Sequence, residues 1–290
     1  DAQTVAHFAR HAAEELSRLA EQMSHGTYRP QPVRRAWIDK PGSREKRPLG
    51  IPAVRDRIVQ GALRHVLEPI FETDFAEHSY GFRPGRGCKD ALRRVRGLID
   101  AGHLHVVDAD LKGYFDSIPH QRLMELVGER IADGRVLVLI ESFLKQGIME
   151  AMGEIEPGER QEGTPQGGVI SPLLANIYMH EFDRQMVEAG YEVVRYADDF
   201  VVLCRNEEEC RAAKTKAETV LQGMGLEMHP EKSRVVDSRR ERFQFLGYEF
   251  WPGGREPRKP SLHKLRDGIR AKTPRSSGRS TSSGSRRCAT

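Results

Sequence analysis

The stretch RYADDFVVL, residues 195–203, restricts the fold more than any other part of the chain. Two adjacent carboxylates, Asp198 and Asp199, stand between short β-branched and aromatic runs. The pattern reads as strand, turn, strand, with acids at the apex. Neighbouring like charges repel, and each is costly to strip of water. Either the pair is a solvated turn or something strongly positive sits against it.

Acids that could share the site lie in VVDADLKGYFDSI, residues 106–118. Asp108 and Asp110 are two apart and so share a strand face. Asp110 falls at the strand end, before the turn at Lys112–Gly113, and Asp116 follows beyond Tyr114 and Phe115. A strand-end Asp facing a hairpin-tip Asp pair makes an oxygen-rich cage for hard divalent cations such as Mg²⁺. Two such ions, about 3.5–4 Å apart, clamp the attacking and leaving oxygens of an in-line phosphoryl displacement.

Charge is unevenly distributed. Residues 28–96 hold 16 Lys/Arg against 8 Asp/Glu; residues 97–254 hold 17 against 28; residues 255–290 hold 11 against 2. Basic segments flanking an acidic middle suit a polyanion partner and a cation site, or solvated faces. No apolar run approaches the roughly 20 residues of a membrane span, so no membrane partner is expected. The amphipathic start DAQTVAHFARHAAEELSRLAEQM does not read as a signal peptide. A first residue of Asp1 rather than Met suggests a fragment or a processed form. Four scattered cysteines, Cys88, Cys204, Cys210 and Cys288, form no CxxC pair and point to a reducing compartment.

Periodicity predicts one helix over residues 4–25, with Val5, Phe8, Ala12, Leu16, Leu19 and Met23 on one stripe. A basic hairpin follows, VRRAWI and RPLGIP about the turn KPGSREK. VRDRIVQGALRHVLEPIFETDF reads as a helix ending near Pro69 or just after it. From residue 103 the order is β-α-α-β-α-β-β-α-β, an α+β arrangement with an antiparallel sheet backed by helices. No GxGxxG or Walker loop is present. The Ser/Arg/Gly-rich end, AKTPRSSGRSTSSGSRRCAT, reads as disordered.

These motifs, in their order, resemble the group II intron-encoded reverse transcriptases (maturases), over about residues 1–263. RPLGIP with RDRIVQGAL is similar to the fingers motif, and HSYGFRPGRG to the next block. DADLKGYFDSIPH and EGTPQGGVISPLLANIYMHEFD resemble the palm motifs, RYADDF the catalytic box, GLEMHPEKS the lysine motif and FQFLGYEF the primer grip. The resemblance implies a right-hand polymerase: an N-terminal helix (1–27), fingers (28–100), a palm (101–250) with fingers helices inserted at about 120–165, the start of a thumb or linker (251–272) and a basic tail (273–290). It implies that Asp110, Asp198 and Asp199 ligate two Mg²⁺, with Mn²⁺ an alternative. Phe115 takes the steric-gate position, or is a core aromatic. Gln166 lines the nucleotide pocket. Gly167 and Gly168 allow close approach to the template, or are an ordinary turn. Arg47 and Arg57, with Arg55 as alternative, contact the triphosphate. Lys232 protonates pyrophosphate, or is a surface lysine. Tyr80, Arg83 and Arg86 contact the template backbone, and Phe245, Leu246 and Gly247 position the primer end.

The implied partners are an RNA template, a DNA primer and group II intron RNA, in a ribonucleoprotein of the bacterial cytoplasm. Oligomeric state is left open. The sequence departs from the family after KPSLHKLRDGIRAKTP, which resembles the start of a first thumb helix; the tail resembles a truncation. That keeps open an intron-binding maturase with impaired polymerase, and a CRISPR- or defence-associated relative. An RNA-dependent RNA polymerase usually has Gly before its Asp pair; Ala197 and Phe115 argue against it.

Overall fold

A computed structural model describes residues 4–39, 46–149, 155–156 and 161–273. The side chains of Arg47, Ile155 and Glu156 lie outside that description, as do residues 40–45 of the expected turn and the tail from residue 274.

The N-terminal helix is two helices, α1 (Val5–Arg10) and α2 (Ala12–Ser24), broken at His11 with φ −116° and ψ 24°. Phe8 and Leu19 of the expected stripe reach the core and Ala12 packs against it, while Val5, Leu16 and Met23 stay exposed. The break turns half of the stripe away from the body.

Strands β1 (Val33–Asp39) and β2 (Lys46–Ile51) form the expected antiparallel hairpin, Trp37 opposite Pro48. Helix α3 (Val54–Glu72) runs through Pro69 for one more turn, and α4 (Cys88–Asp100) follows. The short strands β4 (Ile148–Met149) and β5 (Ile155–Glu156) pair with each other. Unexpectedly, β4 joins β1 in parallel, Val33 opposite Ile148. The fingers sheet therefore takes strands from both sides of the first palm strand.

The palm sheet has the order β6-β7-β3-β8, all antiparallel: β3 is His105–Asp110, β6 Glu192–Tyr196, β7 Asp199–Cys204 and β8 Arg234–Asp237. Helices α5 (His120–Gly128), α6 (Gly134–Leu144), α7 (Ser171–Glu188) and α8 (Glu207–Gly223) belong with one face. α7 is buried along its length, from Leu173 and Leu174 to Met186. α8 starts where the Glu209 amide donates to the Asn206 side chain at 2.8 Å, with Glu207–Glu209 at the positive end of the helix dipole.

The other face packs on α4 and a three-stranded sheet of β9 (Phe243–Phe245), β10 (Tyr248–Trp251) and β11 (Gly254–Pro257). β11 was not expected from sequence. α9 (Lys259–Lys272) follows and buries no residue. Parity along β3 divides the two cores: Val107 and Ala109 face α7 and α8, while Val106 faces α4 and β9. Among the described residues no helix is long and apolar enough to cross a membrane.

Candidate active site

Tyr196 pairs with Asp199 in the β6–β7 hairpin, leaving Ala197 and Asp198 as a two-residue loop. Ala197 has φ +60°, the left-handed region that tight hairpin loops require and that glycine usually supplies. β7 pairs with β3 so that Asp199 stands opposite Asp110 on one rung. Opposed residues share a face, and Asp108 shares it too. It is the face that Val106, Val201, Phe243 and Phe245 fill with apolar contact. The carboxylates begin where that core ends.

Burial first, and then the charges of Asp108, Asp198 and Asp110, push the Asp199 carboxyl up from 3.8 to about 7. The Leu246 amide, hydrogen-bonded to it, pulls the other way. Asp110 accepts from Lys232 Nζ at 2.8 Å, and Asp108 pairs with Arg234 Nε at 3.5 Å. Lys232 is in reach because the chain beyond α8 prolongs the β3 ladder: Leu111 bridges Met228, and the His229 amide donates to the Asp110 carbonyl at 2.8 Å.

The oxygen-only donor set, and a buried Asp199 carboxyl facing the charges of Asp108, Asp198 and Asp110, fit a hard divalent cation. Among the described residues, no three acidic, His or Cys side chains converge into a ready ligand set. What is preformed is the Asp110–Asp199 rung, with Asp198 at the loop.

The raised Asp199 pKa gives a measurable sign. An acid whose folded pKa exceeds its unfolded one binds its proton more tightly when folded. Its contribution therefore opposes folding increasingly as pH rises from about 4 to about 7. In chelator-treated protein, Asp199→Asn should melt higher than wild type at pH 8, by roughly 2–5 °C, with the gap closing at pH 5. Equal melting temperatures at pH 8, or a gap that widens as pH falls, would contradict this account of the site.

Three described non-glycine residues have positive φ: Phe82 (+59°), Ala197 (+60°) and Leu246 (+48°). All three surround this loop. Ala197 is in it, and Leu246 donates to Asp199. Phe82 is exposed, with its ring 6.4 Å from that of Tyr196, and it follows Gly81, whose backbone abuts the loop. A Cβ on Gly81 would lie 2.4 Å from Ala197 N and 2.9 Å from Tyr196 C. Strained non-glycine residues cost free energy and persist where the surroundings hold them, most often at functional sites.

The segment before Phe82 covers the open edge of β6. The Tyr80 amide donates to the Arg195 carbonyl at 2.9 Å, and the Arg195 amide to the His78 carbonyl at 3.0 Å. From below, Asn176 Nδ2 donates to the Gly81 carbonyl at 2.8 Å.

A family model described as reverse transcriptase (RNA-dependent DNA polymerase) matches residues 38–250. The chain belongs to the reverse transcriptase family. It is 42% identical over 175 residues to the group II intron-encoded protein LtrA of Lactococcus lactis subsp. cremoris, a match covering 60% of this chain and 28% of that protein. It is 36% identical over 275 residues to protein YkfC of Escherichia coli K12, covering 81% of this chain and 71% of that one. The chain thus spans little more than a quarter of the intron-encoded relative. Among solved structures, a truncated apo telomerase from Candida tropicalis superposes with a TM-score of 0.60, covering 86% of this chain and 60% of that one at 11% identity. This likeness supports the right-hand fold.

Other family positions are placed as follows. Phe115 is half-buried in the turn Tyr114–Asp116, edge-on to Tyr114, and its carbonyl accepts from the Thr164 amide at 2.6 Å. Gln166 Nε2 donates to Asp116 Oδ2 at 3.1 Å, and both line a cleft with Arg35, Gly50 and Gln146. The close approach that Gly167 makes is to the fingers: φ is +112°, and a Cβ there would lie 2.6 Å from the Gly50 carbonyl. A Cβ on Gly168 would meet Ser171 Oγ at 2.5 Å. Arg57 is exposed on the first turn of α3. Arg55, the alternative, is occupied by Gln22 Oε1 at 2.7 Å and by the Tyr28 ring. The Arg47 side chain lies outside the described residues.

Two expected strand contacts are corrected. Arg83 is buried, and its guanidinium is consumed by Glu72 and by the Ala76 and Ser79 carbonyls. It holds the segment in place and has no surface for a phosphate. Tyr80 packs into the second core with Arg86 over its ring. Phe245 is also core, 1% exposed, and supports the turn from beneath; Leu246 and Gly247 form the turn itself.

The reading from sequence missed Gly81, Phe82 and Arg195. Arg195 left a signal. Two residues before the loop, it shares the inward parity of Val193, and a cation at a core position demands a buried acid.

Proposed function

We propose that this chain is the fingers and palm of an RNA-directed DNA polymerase of the group II intron type, extending a DNA primer on an RNA template. The observation that carries this reading is the Asp110–Asp199 rung with Asp198 in the adjoining strained loop. The family generally uses divalent metal ions, and the finer assignment is two Mg²⁺, or Mn²⁺, held by Asp110, Asp198 and Asp199. When bound, such ions supply charge neutralisation at the attacking and leaving oxygens.

In the proposed reaction the primer 3′-hydroxyl loses its proton to solvent and its oxygen bonds to the α-phosphorus of an incoming deoxynucleotide, while the bond from that phosphorus to the pyrophosphate oxygen breaks. Phosphoryl transfer needs positioning more than covalent help. Arg47 and Arg57 bind the triphosphate, and Gln166, fixed by Asp116, lines the nucleotide pocket. Lys232 gives a proton to the departing pyrophosphate, a role supported by its 2.8 Å pairing with the Asp110 carboxylate. Arg86 borders the template, Gly167 and Gly168 let the fingers backbone close on the loop beside it, and the Leu246–Gly247 turn seats the primer end. An A-form RNA–DNA hybrid is gripped by backbone and shape, so binding is largely independent of sequence. Intron RNA is the partner suggested by the intron-encoded relative, in a ribonucleoprotein of the bacterial cytoplasm.

Phe115 is proposed to exclude a 2′-hydroxyl. Phe115→Val should raise ribonucleotide incorporation relative to deoxynucleotide by about 10- to 100-fold, with a modest fall in melting temperature from the lost packing on Tyr114. Unaltered sugar discrimination would return Phe115 to the core.

The test of the whole reading is extension of oligo(dT) on poly(rA) with dTTP and Mg²⁺. Template-dependent extension supports it. Retained RNA binding without extension overturns it in favour of a binding maturase.

A further inference from the structure

The loop that carries Asp198 is strained, and one buried side chain reaches directly into it. Arg195 is 1% exposed, and each N–H of its guanidinium has a partner. Nε and Nη2 donate to Asp183 Oδ1 and Oδ2 at 2.8 and 2.6 Å. Nη2 also donates to Ser79 Oγ at 2.7 Å, and Nη1 to Asn176 Oδ1 at 3.2 Å. The remaining bond, from Nη1 to the Ala197 carbonyl at 2.9 Å, fixes the residue with φ +60°. Asn176 works from both ends, accepting from Arg195 and donating to the Gly81 carbonyl. Ala197 is thus held at its carbonyl by a guanidinium and backed at its amide by Gly81.

A buried ion pair is poor evidence of stability, since apolar residues of similar volume often serve as well. Asp183 answers the charge of Arg195, but that pair alone needs neither Ser79 nor Ala197. The planar fork is required only if several fixed points must be tied together, which a lysine ammonium cannot do. Burial keeps Arg195 from touching a nucleic acid strand.

We propose that Arg195 is a positioning residue: its guanidinium, oriented by Asp183, holds the Ala197 peptide and so aims the Asp198 and Asp199 carboxylates. The proposal deepens the nucleotidyl-transfer reading and rests on it for the purpose of that aim.

The test uses the purified chain with Arg195→Lys, which keeps the charge and loses the fork, and with Arg195→Met/Asp183→Leu, which removes the pair together. Three quantities are measured: the thermal melt, hydrogen exchange of peptides covering 195–200 against those covering 105–109, and Mn²⁺ affinity by paramagnetic resonance with the metal alone. The double variant should fold but melt several degrees below wild type, because Ser79, Asn176 and the Ala197 carbonyl lose their donor. Its loop should exchange at least about 10-fold faster while the Val106–Ala109 strand is unchanged, and Mn²⁺ should bind about 10- to 100-fold more weakly. Should the double variant not fold, Arg195→Lys is expected to show the same two changes. Loop exchange at the wild-type rate, or exchange rising equally in both peptides in step with the melt, overturns the proposal. A wild type that binds no Mn²⁺ defeats the nucleotidyl-transfer reading instead, and the exchange data still decide whether Arg195 holds the loop.

Discussion

Asp110→Asn and Asp199→Asn should each reduce primer extension on an RNA template by about 10³-fold or more, with primer–template affinity changed only a few-fold. The two residues stand opposite each other on a single rung between β3 and β7, on the face where the second core ends. Asparagine keeps the size of each side chain and one acceptor oxygen, so Asp199→Asn can still take the Leu246 amide. What it removes is charge at the point where charge is needed. Because both carboxylates would serve one centre, their losses should not add: the double variant should be no worse than the poorer single one. Substrate affinity separates this account from general damage, since the basic residues proposed to grip the nucleic acid are untouched. Extension within ten-fold of wild type for either single variant would remove the rung from the chemistry.

Gly81→Ala carries the second large effect, although Gly81 is neither charged nor a ligand. The added methyl would lie 2.4 Å from the Ala197 nitrogen and 2.9 Å from the Tyr196 carbonyl carbon, and both obstacles are backbone. No rotamer relieves the overlap, so the 78–82 segment must withdraw or the loop must shift. Overpacking of this kind costs about 1–3 kcal/mol, a fall of roughly 3–10 °C in melting temperature. Displacing a reacting group by about 1 Å costs about 100-fold in rate. Gly61→Ala is the matched control. It lies inside α3 with nothing within 4 Å of the added Cβ, and it should be neutral or slightly stabilising. A Gly81→Ala protein that melts and extends like wild type would show that the packing of this segment against the loop is not what orders the site.

The acids of the site were legible because a two-residue strand period and an Asp pair between β-branched runs are local signals. The fingers hairpin was legible for the same reason. What escaped the sequence is non-local. Arg83 looks like a surface cation in HSYGFRPGRG; Glu72 and the Ala76 and Ser79 carbonyls claim it only once the loop folds back. Phe245 reads as one aromatic among several in FQFLGYEF, and only the stacking of β9 on the palm sheet reveals it as core. The parallel pairing of β4 with β1 has no short-range trace, since the hydrogen-bonded partners lie on opposite sides of the palm's first strand. The break at His11 interrupts a stripe that period alone would continue.

The strand order β6-β7-β3-β8 has a consequence for how the chain is made. β3 lies at the centre of the palm sheet, and both of its neighbours come after it in the sequence. It leaves the ribosome as a strand with two open edges and must wait through residues 111–198 before β7 arrives, and longer for β8. Pairings of such separation are slow to form and leave aggregation-prone edges open in the meantime. The same long interval is what brings Asp110 and Asp199 onto one rung, so the proposed catalytic centre and the long exposure of the β3 edges during synthesis arise from a single choice of topology.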